Sequence, residues 1–407
     1  MALFDHLPRK QAPADPHSVE GEANLHPATV KLGLLYRKGA VYADDDRVVA
    51  LLAAFMKVIE DYRTPPNKTL SWDLDKHVRT QVQHLVHCRQ HSMGMGNVIK
   101  YIRYEISHIA PEFSEAEAKA YLTAKLQSFL EERIVYARES IVRYMASTIK
   151  DDDVVLTFGS SPLLRQVLVK VAATKRFRLV VVDTRPLHEG LATVAALSRH
   201  VRCVYTPLAG AASVMREVTR VVLGASSLLS NGSMLAPAGT AMVAALAKAR
   251  RVPVIVVSES YKFCEKVQLD SIVYNELGAA GEVACTKGAL GVPHGVLNGE
   301  AFPGSGAVDS AVTGPGGGAG EEDSHEPAPR MHGGYRGAAD KLTADGGFEG
   351  KLPFQVVNLR YDLTPIGNIS VIATETGLIP PTSIPVLIRE LRSDGGDNAP
   401  GRDVDHN

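Results

Sequence analysis

LSNGSMLAPAGTAMVAALAKARRVPVIVVSESYKFCEKVQLDSIVYNEL, residues 229 to 277, is the stretch that decides how this chain is read. Asn231-Gly232 suits a tight turn, since both residues tolerate positive φ. Gly239-Thr240 opens a run of Ala, Met, Val and Leu that reads as a helix ending near Arg250. Val254-Ile255-Val256-Val257 is a β-branched run of strand length, as expected of a strand covered on both faces. A dense polar and aromatic patch follows it directly: Glu259, Tyr261, Lys262, Phe263, Cys264 and Glu265. Turn, helix, buried strand and polar loop in this order belong to a parallel α/β sheet.

The same period extends toward the N-terminus. Val154–Phe158, Leu179–Val182, Val201–Tyr205 and Val221–Leu223 are short apolar runs, most of them separated by amphipathic helices. Further strands are expected around Val356–Leu359 and Val386–Arg389. Before Asp151 the period is helical instead. Leu122, Leu126, Leu130, Ile134, Ala137, Ile141 and Met145 recur at three- and four-residue steps, with Lys125, Glu132, Arg138 and Arg143 largely off that face. Leu34, Leu51, Leu52, Phe55 and Ile59 form shorter stripes, and Pro65-Pro66 disfavours continuation of one of these helices. The fold class expected is α/β: an N-terminal helical domain followed by a Rossmann-like domain with a mostly parallel sheet. The expected boundaries are a disordered leader at 1–24, the helical domain at 25–150 and the Rossmann-like domain at 151–286 and 351–393. A Gly-rich flexible insertion is expected at 287–350, where too little apolar surface exists to offset ordering entropy, and a disordered tail at 394–407.

Composition narrows the function. Among 407 residues, 44 Lys and Arg stand against 45 Asp and Glu, so no global basic field recruits nucleic acid. The first residues lack the apolar core of a secretory signal, and no run reaches the roughly 18 apolar residues of a membrane span. Four cysteines without a CxxC pattern read as thiols of a reducing compartment. A cytosolic protein without membrane or nucleic-acid partners is the expectation.

The motifs leave chemistry open at several points. Thr157-Phe158-Gly159-Ser160-Ser161-Pro162, after the first strand, has neither GxGxxG nor GxxxxGK[ST], so a dinucleotide or P-loop site is not expected. Asp183 is placed either to hold a ribose hydroxyl or, more simply, to order its own loop beside Arg185. Gly239 and Thr240 offer either free helix-start N–H groups to a phosphate or only a tight turn, and Asn231-Gly232 carries the same two readings. His84, His87, Cys88 and His91 fall at helical spacing; a solvated face is favoured over zinc, and no metal is expected. The 259–265 patch, with Tyr and Phe in polar company, reads as an interface rather than as a catalytic centre.

Long ungapped phrases then carry a resemblance. HPATVKLGL at 26–34, IEDYRTPP at 59–66, VVVDTRP at 180–186, LLSNGS at 228–233, ESYKFCEKVQLDSIVYNEL at 259–277, LRYDLTP and ETGLIPPTSIPVLIRE resemble the alpha/beta/delta subunit family of eukaryotic translation initiation factor two B. Within it, the residues around Lys262 look most like delta. The resemblance implies a non-catalytic regulatory subunit of the guanine-nucleotide exchange factor for initiation factor two, helping to sense phosphorylation of that factor's alpha subunit. It implies alpha, beta, gamma and epsilon partners, with two copies each of alpha, beta and delta in a hexameric core, and no cofactor. Subunit-interface candidates are then Glu259, Tyr261, Lys262, Phe263, Glu265, Asn275, Glu276, Tyr361, Asp362 and Thr364. The family is related to sugar-phosphate isomerases, which implies a degenerate pocket at Gly159, Ser160, Ser226, Asn231, Gly232, Gly239 and Thr240. The isomerases' catalytic cysteine and aspartate align with Gly159 and Ser226, and their Asn-Lys pair aligns with Ala236-Pro237. No catalytic residue is therefore expected, an isomerase or a sugar-phosphate-binding homodimer being the alternative. The leader is shorter than the basic extension common in delta subunits, and the insertion replaces a short connection.

Overall fold

The computed structural model describes residues 25–278 and 357–393, with the short pieces 6–7 and 282–283. The helical part comprises α1 (Pro27–Lys38), α2 (Asp44–Asp61), α3 (Leu70–Cys88), α4 (Met93–Ser107), α5 (Glu115–Phe129) and α6 (Ala137–Thr148). Local chemistry sets the ends of these helices. Pro27 supplies a preset φ at the start of α1, Ser92 caps α4 through the Met95 N–H, and Ser114 with Glu117 forms a reciprocal cap on α5. Leu51, Leu52, Phe55, Ile59, Val78 and Met95 are among the fully buried residues of this layer. Leu34 departs from its expected stripe; it is exposed, while Leu32 and Tyr36 of the same helix are buried.

Between α5 and α6 the chain does not break but widens into a π-helical stretch, Leu130–Tyr136. Leu122, Leu126, Leu130 and Ile134 step by four, and each step overshoots a 3.6-residue turn by about 40°. A wider turn absorbs that drift and returns Ile134, Ala137, Ile141 and Met145 to the buried face.

The sheet part follows: β1 (Val154–Phe158), α7 (Pro162–Ala172), β2 (Arg178–Asp183), α8 (Gly190–Leu197), β3 (Arg202–Pro207), α9 (Ala211–Val214), β4 (Arg220–Gly224), β5 (Ser227–Leu229), β6 (Met234–Pro237), α10 (Thr240–Ala249), β7 (Val254–Val257), β8 (Phe263–Cys264), β9 (Tyr361–Thr364), β10 (Val371–Thr374), β11 (Gly377–Ile379) and α11 (Ile384–Ser393). Seven strands make one sheet in the order β11-β10-β7-β4-β1-β2-β3. Every pairing in it is parallel except β10 with β11. The order reverses at β1, so the carboxyl ends of β1 and β4 flank the crevice where such sheets meet ligands.

A second sheet of four short strands, β8-β5-β6-β9, sits beside the first. The sequence reading missed it because strands of two to four residues carry almost no periodicity. The strand expected at Val386–Arg389 is instead part of α11. Ile384, Leu387 and Ile388 are spaced for a helix, with Ile384 fully buried and Val386 turned to solvent. Near Val356–Leu359, Leu359 makes one bridge to Leu277 and the strand proper begins at Tyr361. Of the expected leader, Leu7 is buried and His6 Nε2 lies 2.8 Å from the Ile272 carbonyl. The expected insertion at 287–350 and tail at 394–407 lie outside the described residues. No helix among the described residues is long and apolar enough to cross a membrane.

Candidate functional site

The polar patch after β7 turns inward. Glu259 and Lys262 are buried, and they meet Asp45 from α2 and Arg138 from α6 in a four-charge cluster between the helical part and the sheet. Lys262 Nζ lies 2.5 Å from Asp45 Oδ1 and 2.7 Å from Glu259 Oε2. Arg138 Nε donates to Glu259 Oε1 at 2.8 Å, and its Nη2 lies 3.4 Å from Asp45 Oδ2. Burial alone would strip the Lys262 proton, but Asp45 and Glu259 override it and hold the ammonium above its usual range. Burial raises the Asp45 carboxyl, with Lys262 opposing, while Glu259, buried but facing both cations, is held low. Two acids and two bases balance, as a cluster so dry requires.

Neighbouring residues fasten the same loop. Asn97 of α4 donates its Nδ2 to the carbonyls of Tyr261 at 2.9 Å and Phe263 at 2.7 Å. The Tyr261 ring packs edge-on to Phe129 with centroids 6.4 Å apart. Farther along, Arg89 at the end of α3 grips Glu276, with Nε to Oε1 at 3.0 Å and Nη2 to Oε2 at 3.3 Å. Gln90 donates to the Tyr274 hydroxyl at 2.9 Å, and Tyr361 donates its hydroxyl to Asp44 at 3.2 Å. Asn275, buried, donates to the carbonyls of Ser271 and Tyr361 and accepts from the Tyr361 N–H. Thr364 is buried in β9. Glu259, Tyr261, Lys262, Phe263, Asn275, Glu276 and Tyr361 therefore make their contacts within this chain. Of the expected interface residues, Glu265 is the one fully at the surface. Beside it, Val267, Leu269 and Val273 are 63%, 85% and 65% exposed, an apolar strip that the sequence reading did not single out.

The expected pocket residues do not converge. Gly159 lines an open recess of about 380 Å³ with Asp183, Arg185, Glu189 and Arg360. Burial, then the nearby Asp183, pushes the Glu189 carboxyl up to about 7. Ser160 follows β1 and is half-buried. Ser226 lines a separate recess of about 370 Å³ with Asp44, Gln90, His91 and Glu276. Asn231 and Gly232 form the β5–β6 hairpin, where Asn231 accepts from Ser233 N–H and Gly232 has φ +80°. Gly239 has φ +110°, and a Cβ there would fall 2.5 Å from Phe158 Cζ. Its N–H and that of Ala241 both donate to Asp362 Oδ2, at 2.7 and 2.9 Å. Thr240 donates to the Pro237 carbonyl at 2.6 Å. Of the two readings of Gly239-Thr240, the tight turn is the one built, and the helix-start donors serve the chain's own carboxylate. Asp183 likewise orders its loop, accepting from Thr184 N–H and the Tyr205 hydroxyl.

The His84–His91 series does not share one face, because α3 ends at Cys88. His84 Nε2 lies 3.7 Å from Cys88 Sγ, and His91 sits past the helix, where burial, then Arg47, pushes its imidazole down to about 4. No group of three or more metal-binding side chains occurs among the described residues.

Asp45 and Arg138 were missed in the sequence. Asp45 reads as one of three acids favouring a helix start, yet it precedes Val48, Leu52, Phe55 and Ile59 at the spacing of the buried face. Arg138, expected largely off the apolar face, instead turns its guanidinium into the joint, one turn on from Ile134.

Comparisons with known proteins agree with this architecture. A model of the initiation factor 2 subunit family matches residues 40–381. The chain is 33% identical over 400 residues to the eIF2B subunit delta of Dictyostelium discoideum, covering 96% of this chain and 56% of that protein. It is 33% identical over 371 residues to the delta subunit of Schizosaccharomyces pombe, covering 91% of this chain and 69% of that one. The chain thus spans little more than half of the first relative. A ribose 1,5-bisphosphate isomerase of Pyrococcus furiosus is 27% identical over 216 residues, 52% of this chain and 66% of the enzyme. The tetrameric eIF2B-beta2-delta2 complex from C. thermophilum superposes with a TM-score of 0.69 at 25% identity, over 92% of this chain and 97% of that one. The family model over residues 40–381 and the 33% identity to delta subunits across most of the chain together mean that the chain belongs to the initiation factor 2 subunit family.

Proposed function

We propose that this chain is a non-catalytic regulatory subunit of the guanine-nucleotide exchange factor for translation initiation factor two, working in the cytosol in the place of a delta subunit. Its partners are the alpha, beta, gamma and epsilon subunits and initiation factor two itself, with no cofactor. The observation that carries this reading is the extent of the delta likeness, which runs through helical and sheet parts alike. Pairing with a beta-type subunit falls to the outer side of residues 265–274, where Val267, Leu269 and Val273 are exposed. The helical part contributes to the surface that reads the alpha subunit of initiation factor two, where a phosphate adds charge and acceptor oxygens.

The isomerase alternative is disfavoured on chemistry. The positions to which the resemblance assigns the isomerases' cysteine and aspartate hold Gly159 and Ser226, which offer no thiolate and no carboxylate, and these two residues line different recesses. Two arginines beside those recesses already answer carboxylates, Arg89 to Glu276 and Arg360 to Glu282, so a phosphate would compete with the chain's own acids.

Native purification of the tagged chain from its own cells, with mass spectrometry of what co-purifies, tests the proposal. Recovery of the four other subunits with initiation factor two is the expected result. Recovery of the chain alone as a dimer, with turnover of ribose 1,5-bisphosphate, would overturn it.

A further inference from the structure

Residues 265–277 contain no regular secondary structure, yet they are closely tied on their inner side. Gln268 donates to the carbonyls of Asp270 and Tyr274, Asp270 accepts from the N–H groups of Ile272 and Val273, and Ser271 accepts from Leu363 N–H. These bonds shape the irregular segment into a strap whose inner side is tied to itself and to β9. Both ends are clasped by charges from the helical part, while Val267, Leu269 and Val273 face outward between them.

The first clasp is the four-charge cluster, in which Asp45 and Arg138 hold Glu259 and Lys262 just ahead of the strap. The second is the two-point grip of Arg89 on Glu276, flanked by Gln90 on Tyr274 and Asp44 on Tyr361. Asp44 and Asp45 are adjacent at the start of α2, so one helix end touches both clasps.

We propose that the helical part sets the conformation of the strap through these two clasps, so that a displacement of α2 and α3 against the sheet re-poses the outward apolar strip. What the strip is for rests on the pairing reading above; the coupling itself does not. It supplies a two-point mechanical link by which an event on the helical surface reaches the partner-facing side. The first clasp resists partial opening, because separating buried charges leaves each uncompensated.

Hydrogen exchange on the full chain, read by mass spectrometry, tests this without any partner. In Glu276→Gln and Arg89→Gln, peptides within 266–277 are expected to exchange about tenfold faster or more, while those in β1, β4 and β7 keep wild-type rates. Lys262→Met should quicken both 259–265 and 266–277. Leu269→Asp, which touches neither clasp, should leave exchange of the isolated chain at wild-type rates outside the substituted residue's own amides. In Glu276→Gln and Arg89→Gln, a uniform rise across the whole chain would mean that the second clasp contributes only general stability, and unchanged strap exchange in both would mean no coupling; either result overturns the proposal. A coupled strap in a chain that recovers no beta-type subunit would sink the pairing reading and leave the coupling standing.

Discussion

Replacing Lys262 by Met removes an ammonium and keeps most of its aliphatic stem, which isolates the charge in the joint. Lys262 Nζ stands 2.5 Å from Asp45 and 2.7 Å from Glu259, and the three side chains are 2%, 5% and 0% exposed. Without the ammonium, two buried carboxylates share the single guanidinium of Arg138. Breaking a buried ion network from one side costs about 3–5 kcal/mol, because the partner charge stays behind uncompensated. With a urea slope of about 3 kcal/mol/M, the unfolding midpoint should fall by about 1 to 1.7 M. Far-UV circular dichroism follows the whole chain, and fluorescence of Trp72, the only tryptophan, follows α3. A fall below about 0.3 M would place the cluster with exposed ion pairs and refute the reasoning.

Two consequences sharpen that test. Adding Glu259→Gln to Lys262→Met leaves one acid facing one base, so the double variant should recover about 1–2 kcal/mol over the single one. The pH response has a definite sign. Burial holds the Asp45 carboxyl above its ordinary value in the folded chain, and Lys262 opposes this, so its removal lifts the value further. The folded variant then binds a proton that the unfolded chain releases, and folded stability falls as pH rises through that window. The deficit of Lys262→Met should therefore shrink as pH is lowered from 7.5 toward 5; a deficit that widens over the same range would contradict the charge argument.

Asp362 gives a second pH handle, since burial lifts its carboxyl to about 6 while the Ala241 and Gly239 N–H groups pull it down. Asp362→Asn keeps an acceptor for those donors and removes a charge whose shift corresponds to roughly 3 kcal/mol, so it should match or exceed wild-type stability at pH 8 and lose that advantage by pH 4. Calorimetric melts at the two pH values would show it, and a strong loss at pH 8 would mean that the charge itself caps α10. Gly239→Val forces a β-branched residue into positive φ against Phe158 and should cost roughly 3 kcal/mol or more, visible as a lowered melting temperature. Leu269→Asp should leave the isolated chain within about 0.5 kcal/mol of wild type. The same substitution should sharply reduce co-purification of a beta-type subunit; full recovery would move the pairing contact elsewhere.

The sheet was legible because buried parallel strands are written as continuous β-branched runs: Val154–Phe158 and Val254–Val257 emerge with the bounds expected of them. The small sheet was not, because β5, β6 and β8 are two to four residues long, and the local β5–β6 hairpin is completed by long-range partners, β8 on β5 and β9 on β6. α11 was misread for a related reason: four apolar-rich residues fit either period until Pro380-Pro381 and the burial of Ile384 choose the helix. The polar patch after β7 is the more instructive case. Its composition, aromatic with mixed charge, is what an interface core contains, and the contacts place it between two layers of one chain rather than at its surface. Composition reports that a segment is desolvated against something; it does not report against what. The partner was Asp45, which sits in a run of three acids that any helix start would use, and only its phase with Val48, Leu52 and Phe55 marked it as inward-facing. A charge in phase with an apolar stripe needs an opposite charge brought by another element, and in this chain Lys262 brings it.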